Sequence, residues 1–283
     1  MRHLLVPFTL LQGCTPPGDE DSAEPSPTCN GHLALCDRPL NEVTFPATHN
    51  SMSNEEAVFQ LPNQPRTLAH QLDDGVRGFL LDTHEGDDGQ PALCHGYCAL
   101  GSTPLVDGLT VFREFLDAHP REVLIFIVED YVTPEATAAA FDAADLTRLT
   151  YTWDGGEWPT LGELAAADTR LLVTSESGAA GVDWYQPAWS LFVDTPYDFN
   201  SVDEFSCAVN RGSPENPLFL LNHWVEDPIP EEALAEEANT ADVLGGRAEE
   251  CAAAFGHNPT LVAVDWYTAG DLFAVVDELN GLE

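Results

Sequence analysis

Eight short apolar runs constrain the fold of this chain more than any other feature. They are separated by stretches whose apolar residues have helical periodicity or whose composition is typical of loops. The amphipathic stretches between them lie at 66–74, 105–118, 135–147, 160–167, 231–254 and 271–280. Alternation of strands with helices is typical of a parallel sheet, and eight such units close a barrel of about 250 residues. We therefore predict an α/β fold, a (β/α)₈ barrel of the TIM type. The runs are 43–45, 76–81, 92–94, 124–128, 171–174, 190–193, 218–221 and 261–264.

Polar side chains follow seven of these eight runs at the point where each run ends. In a barrel of parallel strands these positions meet at the carboxyl-end rim, where such enzymes place their chemistry. The rim therefore predicts an active site. The residues concerned are Thr48, His49, Asn50, Ser51, Asp82, Thr83, His84, Glu85, His95, Glu129, Asp130, Tyr131, Asp194, Asn222, His223, Trp224, Asp265, Trp266 and Tyr267.

The charge of the chain is strongly one-sided. It has 48 acidic residues against ten basic ones, all of them arginine, for a formal net charge of -38. Such a surface repels nucleic acid and anionic membranes, so we expect no nucleic-acid partner. An acidic surface also suits a salty or calcium-rich exterior, where it is screened.

The first 28 residues are predicted to be a targeting segment and a tether. Residues 1–14 carry Arg2, a short apolar stretch and the sequence LQGC, which resembles a lipoprotein box ending at Cys14. Residues 15–28 hold proline, acids and serine, a composition that does not fold. We expect an exported lipoprotein of a cell surface or outer membrane, anchored through a lipid on Cys14, with the folded domain at 29–283. A secreted or periplasmic protein with a truncated ordinary signal peptide is the alternative.

Six cysteines remain in the domain, an even number that suits an oxidising compartment. Six cysteines allow 15 pairings. Proximity in sequence favours Cys29 with Cys36, Cys94 with Cys98, and Cys207 with Cys251.

Five segments together resemble one known family, the X region of phosphatidylinositol-specific phospholipases C, over residues 37–281. The similarity is greatest to the small secreted X-domain proteins of bacteria, fungi and plants. The histidine–asparagine pair, the GVRG stretch ending in an acid, and the histidine–glycine pair are specific in combination. The segments are FPATHNSMS (45–53), DDGVRGFLLD (73–82), LCHG (93–96), REVLIFIVEDY (121–131) and VAVDWYTAGDLFAVVDELN (262–280).

The resemblance implies that His49 and His95 are a pair of catalytic histidines. It also implies that Asp265 orients the first of them. Histidine can serve as base or acid near neutral pH, and a carboxylate against one imidazole holds its tautomer. We therefore expect intramolecular attack on a phosphodiester that yields a cyclic phosphate.

The resemblance also implies a metal site at Asn50, Asp82 and Glu129. Metal-independent members carry an arginine where this chain has Asp82, so the acid predicts a divalent cation, calcium or alternatively magnesium. A further acid is usual two positions earlier, where this chain has Leu80. The cation site would then be weak, or completed by Glu85, Asp130 or water.

Six further residues are predicted to contact substrate. Arg77 could supply positive charge at the phosphate, although an arginine within a strand is more often structural. His84 and His223 could contact the head group. The three rim aromatics Trp224, Trp266 and Tyr267 could stack on a sugar ring or dip into lipid, or simply pack.

The predicted function is a phosphodiesterase acting on a phosphoinositide-like phospholipid or another phosphodiester, as a monomer. Without lysine, polyphosphorylated inositides are poor substrates. A glycerophosphodiesterase or sphingomyelin-type enzyme is the alternative, although such enzymes usually open with an HRG-like motif and carry a Glu-x-Asp pair that this chain lacks. A catalytically silent module that binds a glycan or lipid is the third possibility.

Overall fold

The computed structural model describes residues 27–178, 181–226 and 228–282. Its strands form one curled sheet whose hydrogen-bonded order is β6-β7-β5-β2-β1-β11-β10-β9, with β8 paired to β7 beside β6. The strands are β1 (Phe45–Thr48), β2 (Gly78–Glu85), β3 (Pro91–Leu93), β4 (Thr103–Pro104), β5 (Leu124–Asp130), β6 (Thr150–Tyr151), β7 (Leu171–Ser175), β8 (Tyr185–Pro187), β9 (Phe192–Asp194), β10 (Leu218–His223) and β11 (Leu261–Val264).

Every strand pair in this order is parallel, as the sequence predicts for a TIM-type barrel. The fold class is therefore confirmed. Among the described residues the ring of hydrogen bonds stays open between the β6 and β8 side and β9. The helices are α1 (Leu68–Asp74), α2 (Leu105–Ala118), α3 (Pro134–Ala143), α4 (Leu161–Ala167), α5 (Ala188–Leu191), α6 (Glu232–Ala238), α7 (Gly246–Phe255) and α8 (Leu272–Leu279).

The strand prediction was wrong for the third run. Residues 92–94 do not form a barrel strand, because β3 runs antiparallel to β2, with Thr83 opposite Leu93. A turn in which the Gly86 N–H donates to the carbonyl of Gln90 reverses the chain, so no crossover helix is needed. The barrel instead uses β6 and β8, whose two and three residues are too few to show a periodic pattern.

The long helix predicted over 231–254 is broken into α6, a π-helical turn at Ala241–Gly245 and α7. The break follows from Thr240, whose side chain accepts a hydrogen bond from the N–H of Val243 and so caps a new helix start. The helix predicted at 105–118 has those bounds in the structure.

Alternate residues of each strand supply two separate cores. Ile125 and Ile127 pack with residues of other strands such as Ala47, Leu220 and Ala263, in the barrel interior. The residues between them face outwards, and Phe126 packs with Phe79 of β2 and Phe112 of α2. This alternation fixes which strand-end side chains point over the barrel mouth.

All three predicted disulfides are present. Cys29 is bonded to Cys36, Cys94 to Cys98, and Cys207 to Cys251. The last of these ties the β9–β10 loop to α7. The predicted signal segment and all but the last two residues of the predicted tether lie outside the described residues, so those predictions stay open. Over the described ranges, no helix combines the length and the apolar character that crossing a bilayer requires.

A candidate acid-base site at the carboxyl end of the barrel

The strand ends enclose a cavity of about 400 Å³. Seven residues that were predicted to be catalytic, metal-binding or substrate-binding line it: His49, Asn50, Asp82, His84, His95, Glu129 and Trp224. Tyr131 and Asn222 of the predicted rim line it as well. They come from β1, β2, β5, β10 and the turn after β3. Parallel strands thus bring together side chains that are up to 175 positions apart in sequence (Trp224 minus His49).

His49, which lines the cavity, is paired with the buried Asp265. The Nδ1 atom of His49 lies 2.9 Å from Oδ1 of Asp265, and the two side chains are 16% and 4% exposed. The amide nitrogen of Asn63 donates to both oxygens of Asp265, at 3.3 and 3.2 Å. Burial opposes the charged imidazole, but Asp265 outweighs it by charge and hydrogen bonding, so the pKa of His49 is raised.

His95 lies opposite, in the turn after β3. Its imidazole is exposed and has no hydrogen-bonded side-chain partner in the described part of the chain. Partial removal from water, and then the charge of His49, lower the pKa of His95. The pKa values of His49 and His95 are therefore shifted in opposite directions, and the pKa of His84, the third histidine of the cavity, is lowered by burial.

Asn50 links His49 to the predicted metal ligands. Its backbone φ of 45° lies in the left-handed region, which asparagine tolerates. The side chain lies between Nε2 of His49, at 2.9 Å, and the carboxylate oxygens of Asp82, at 3.1 and 3.2 Å. With its oxygen towards His49 and its nitrogen towards Asp82, the amide satisfies both neighbours.

Asp82 and Glu129 are direct neighbours across the β2–β5 pair. Asp82 is 6% exposed, and burial together with the charge of Glu129 raises its pKa well above the ordinary value. The hydroxyl of Tyr131 donates to Glu129, which raises the pKa of Tyr131 to about 12. No arginine is hydrogen-bonded to either acid in the described ranges, so Asp82 and Glu129 offer carboxylate oxygens that fit a hard divalent cation. Asn50 would join them as a ligand only with its amide turned so that its oxygen faces Asp82.

Leu80 also lines the cavity, whereas Glu85 and Asp130 do not. Glu85 is exposed in the β2–β3 hairpin, and Asp130 accepts hydrogen bonds from Ser175 and Ser177. Neither therefore replaces an acid at Leu80.

Glu176 is the acid beside Glu129 that the sequence analysis missed. It lines the cavity, accepts a hydrogen bond from Nη1 of Arg211 at 2.7 Å, and has a pKa raised by burial to about 7. It follows β7, the fifth run, which was the one run without an assigned rim residue. The expectation that polar residues after an apolar run lie on the rim, applied to the fifth run, would have identified Glu176.

Arg211 and Glu226 come from loops beyond β9 and β10, where no strand-end signal exists. Arg211 is held by Asp194, at 2.6 and 2.9 Å, and lies over the ring of Trp189 at 3.8 Å. Among the described residues that line the cavity it is the one arginine. Two carboxylates, those of Asp194 and Glu176, already neutralise its charge.

Two predicted substrate contacts were wrong because their side chains have partners elsewhere. Arg77 precedes β2 at the amino end of the barrel, where its Nε donates to Glu122 at 2.6 Å and its guanidinium lies over Phe115. His223 is fully buried, with Nε2 2.8 Å from the carbonyl oxygen of Ala238. The structural alternative for Arg77 therefore holds.

Two of the three rim aromatics also fail to reach the cavity. Trp266 is 7% exposed and packs on Ala235 and Ala269. Tyr267 is 1% exposed, and its hydroxyl donates to Asp74 at 2.5 Å. The third, Trp224, lines the cavity but is 4% exposed and stacks on His49. His84 lines the cavity and stacks on Tyr131.

A barrel whose rim carries two histidines and a row of acids is the arrangement of a phosphatidylinositol phospholipase C X domain. The family model of that domain (PI-PLC X 1) matches residues 35–280, so the chain belongs to this family. It is 29% identical to PI-PLC X domain-containing protein 1 of Arthroderma benhamiae, covering 90% of both chains. It is also 29% identical to a PI-PLC X domain-containing protein of Arabidopsis thaliana, over 86% of this chain and 63% of that one.

Solved structures share the fold at low identity. The phosphatidylinositol-specific phospholipase C of Listeria monocytogenes matches with a TM-score of 0.54 and 18% identity, over 87% of this chain and 94% of that one. A Staphylococcus aureus phosphatidylinositol-specific phospholipase C matches with a TM-score of 0.59 and 15% identity, over 88% and 95%. These likenesses establish the barrel fold.

Proposed function

We propose that this protein is a metal-assisted phosphodiesterase that cleaves a phosphoinositide-like lipid to a cyclic phosphate. The observation that carries the proposal is the pair His49 and His95 facing one cavity with Asp265 behind the first histidine and Asp82 and Glu129 beside it. Membership of the X-domain family supports the same chemistry.

The two histidines divide the proton transfers. His49, oriented by Asp265, removes the proton from a hydroxyl of the head group, and that oxygen attacks phosphorus. The bond from phosphorus to the leaving alcohol oxygen breaks, and His95 supplies the proton that this oxygen takes up. The products are a cyclic phosphodiester and a diacylglycerol-type alcohol. A calcium or magnesium ion held by Asn50, Asp82 and Glu129 would polarise the phosphoryl oxygen and favour ionisation of the attacking hydroxyl.

The charge of the cavity favours a head group without additional phosphates. Its lining contains the acids Asp82, Glu129, Glu176, Asp198 and Glu226. Its arginine, Arg211, is already paired with two carboxylates. Further phosphate groups would meet repulsion without a free basic partner, so phosphatidylinositol or a glycosylated relative fits better than a polyphosphorylated one.

The surroundings of the cavity favour a lipid presented in a membrane over a soluble phosphodiester. Two exposed aromatic side chains line the cavity, Tyr131 (61%) and Tyr197 (44%), and Tyr97 (78%) follows the lining residue Gly96. Val58 (82%) and Leu61 (50%) are exposed in the loop after β1, residues 54–64. The loop after β1, which carries Val58 and Leu61, is joined to the turn that carries Tyr97. The Gln60 N–H of this loop donates a hydrogen bond to the Leu100 carbonyl, at 2.7 Å. An apolar rim on an acidic protein suits an uncharged or zwitterionic lipid surface.

Export of the protein is supported in two ways. Three disulfides within the domain are typical of an oxidising compartment. A relative from Arthroderma benhamiae that is 26% identical, over 93% of this chain and 67% of that one, is named an uncharacterized secreted protein. Anchoring through Cys14 remains part of the proposal.

The proposal is tested by incubating the protein with phosphatidylcholine vesicles that contain phosphatidylinositol, with sphingomyelin vesicles and with glycerophosphoinositol, in calcium or in EDTA, and following phosphorus products by ³¹P NMR. A cyclic inositol phosphate formed with calcium and not with EDTA supports the proposal. Cleavage of glycerophosphoinositol or sphingomyelin alone would identify the alternative enzyme class, and no product from any substrate would favour the silent binding module. His49→Ala and His95→Ala should each lower the rate by about 10² to 10⁴ while remaining folded.

A further inference from the structure

Glu226 lies beside the His49–Asp265 pair and has no role in the proton transfers above. One nitrogen of His49 and one carboxylate oxygen each of Asp265 and Glu226 lie within 4.8 Å of one another. No hydrogen bond or ion pair to the carboxylate of Glu226 is found among the described residues, although its backbone N–H donates to Phe199. A half-buried carboxylate without a donor, next to a second carboxylate, is a costly arrangement unless a cation can join it.

The three side chains are already held in place from behind. Asn63 donates to both oxygens of Asp265. The ring of His49 is fixed by its stacking on Trp224, and its Nε2 lies 2.9 Å from the amide of Asn50. A metal-binding imidazole commonly bonds to the metal through one nitrogen and donates from the other to an oxygen, and bonded carboxylates are themselves hydrogen-bonded. Nδ1 of His49, towards Asp265, is therefore the nitrogen available to a metal.

The donor atoms of this cluster differ from those of the Asn50, Asp82 and Glu129 set. The latter offers oxygen alone, which suits calcium or magnesium. The cluster of His49, Asp265 and Glu226 offers one nitrogen and two oxygens, with room for water in the open cavity. That donor set suits zinc and similar transition-metal ions, which bind imidazole and carboxylate at about 2.0–2.2 Å in tetrahedral geometry.

We propose that His49, Asp265 and Glu226 form a second metal site, selective for zinc-like divalent ions, and that its occupancy blocks the site. A zinc ion bound between Nδ1 of His49 and Asp265 replaces the proton that joins them, and its double positive charge lowers the basicity of Nε2, so His49 becomes a much weaker base towards the substrate. Binding by the cluster is independent of the proposed function, whereas inhibition rests on it.

The test is calorimetric titration of the full-length protein with zinc chloride and, separately, with calcium chloride. Glu226→Gln keeps the size of the side chain and removes a ligand, so it should weaken zinc binding at least about tenfold and leave calcium binding unchanged. Asp82→Asn should instead weaken calcium binding and leave zinc binding unchanged. Cobalt chloride in place of zinc should give the intense visible absorption of a four-coordinate ion, and Glu226→Gln should lose it.

The matched control is His70→Ala, which removes an exposed histidine whose Nδ1 lies 2.6 Å from Glu56 and which could bind zinc at the surface. Zinc affinity that is unchanged in Glu226→Gln, or lost in His70→Ala instead, would overturn the proposal, as would the absence of saturable zinc binding. Zinc should also inhibit cleavage in saturating calcium, with the inhibiting concentration about tenfold higher in Glu226→Gln. If no substrate is cleaved, the proposed function fails and the titrations still decide the metal site.

Discussion

Trp224 lies face to face with the imidazole of His49, with ring centroids 3.7 Å apart and planes 7° from parallel. The indole is almost fully buried, so a substrate cannot stack on its other face. Trp224 is therefore positioned to orient His49 and not to bind a sugar ring. An aromatic face also favours the charged form of a stacked imidazole, in the same direction as Asp265.

Removing this ring should impair the site without removing any group that touches substrate. An aromatic–cation contact is worth about 0.5–2 kcal/mol. We therefore expect Trp224→Ala to lower kcat/KM by about 2- to 30-fold and Trp224→Phe to retain most of it. The measurement is initial rate, with thermal unfolding as a check of the fold. Trp158→Ala is the control, because that ring stacks on Trp153 outside the cavity. Full activity of a folded Trp224→Ala would refute the orienting role.

Site residues at the ends of strands can be predicted from the sequence. Site residues whose position depends on burial or on the path of a loop cannot. His49, Asp82, Glu129 and Asp265 each come after the end of a predicted run, and strand order alone brings them to one rim. Trp266 follows Asp265 in the turn after β11, yet it is buried against Ala235 and Ala269, because its backbone, with a φ of 47°, has left the extended conformation of the strand. Arg211 is positioned by the path of a long loop, for which the sequence holds no periodic signal.

His223 should make the stability of the protein depend on acid. Its Nε2 is placed to donate to the Ala238 carbonyl, its Nδ1 lies 3.3 Å from Nη1 of Arg247, and burial lowers its pKa to about 3. The unfolded chain, with a pKa of about 6.5, binds the proton first. The free energy of unfolding should thus fall by about 1.4 kcal/mol per pH unit between pH 6.5 and about 3 through this residue.

The control for this acid dependence is His223→Gln, whose amide can donate to Ala238 and accept from Arg247 but does not titrate. Urea unfolding of both proteins at a series of pH values isolates the histidine, since the carboxylates are common to the two. Parallel stability curves for the wild type and the variant between pH 6.5 and 4 would contradict the prediction.

The loop after β1 (residues 54–64), here called the first rim loop, should govern activity at a lipid surface and not the chemistry. Val58 and Leu61 are exposed with φ values of 62° and 56°, a left-handed conformation that asparagine tolerates better than valine or leucine. The double variant Val58→Asn with Leu61→Asn should therefore fold at least as well. We expect weaker binding to phosphatidylcholine vesicles and lower activity on vesicle substrate, with unchanged turnover of a short-chain monomeric lipid. Sedimentation with vesicles measures the first effect.

Leu33→Asn is the matched control for the rim loop. Leu33 is 65% exposed, but it belongs to the segment held against the amino end of the barrel, where Asn30 donates to the carbonyl of Val123. Its substitution should leave vesicle binding unchanged. An equal loss of vesicle binding in Leu33→Asn and in the double variant would mean that general surface hydrophobicity, and not the rim loop, drives the association.

The amino terminus decides between an anchored and a freely secreted protein. If the LQGC sequence is a lipoprotein box, the mature chain begins at Cys14 and carries a lipid there. Mass spectrometry of the protein purified from membranes should then find a lipid-modified Cys14 as the first residue, and Cys14→Ser should release the protein from the membrane fraction. A mature chain beginning at any other residue excludes this anchor.

Arginine at position 82 tests the cation requirement most directly. Asp82 is buried beside Glu129 and its pKa is raised well above the ordinary range, because burial and that second acid both disfavour its charge. A guanidinium at this position would neutralise Glu129 and put positive charge where a cation would otherwise act. We expect Asp82→Arg to retain activity in EDTA that the wild type loses, and to respond weakly to added calcium. Asp82→Gln removes the acid without adding charge and should lose activity in both conditions. Activity in EDTA that is equal in the two variants would show that loss of the carboxylate, and not the gained charge, relaxes the requirement.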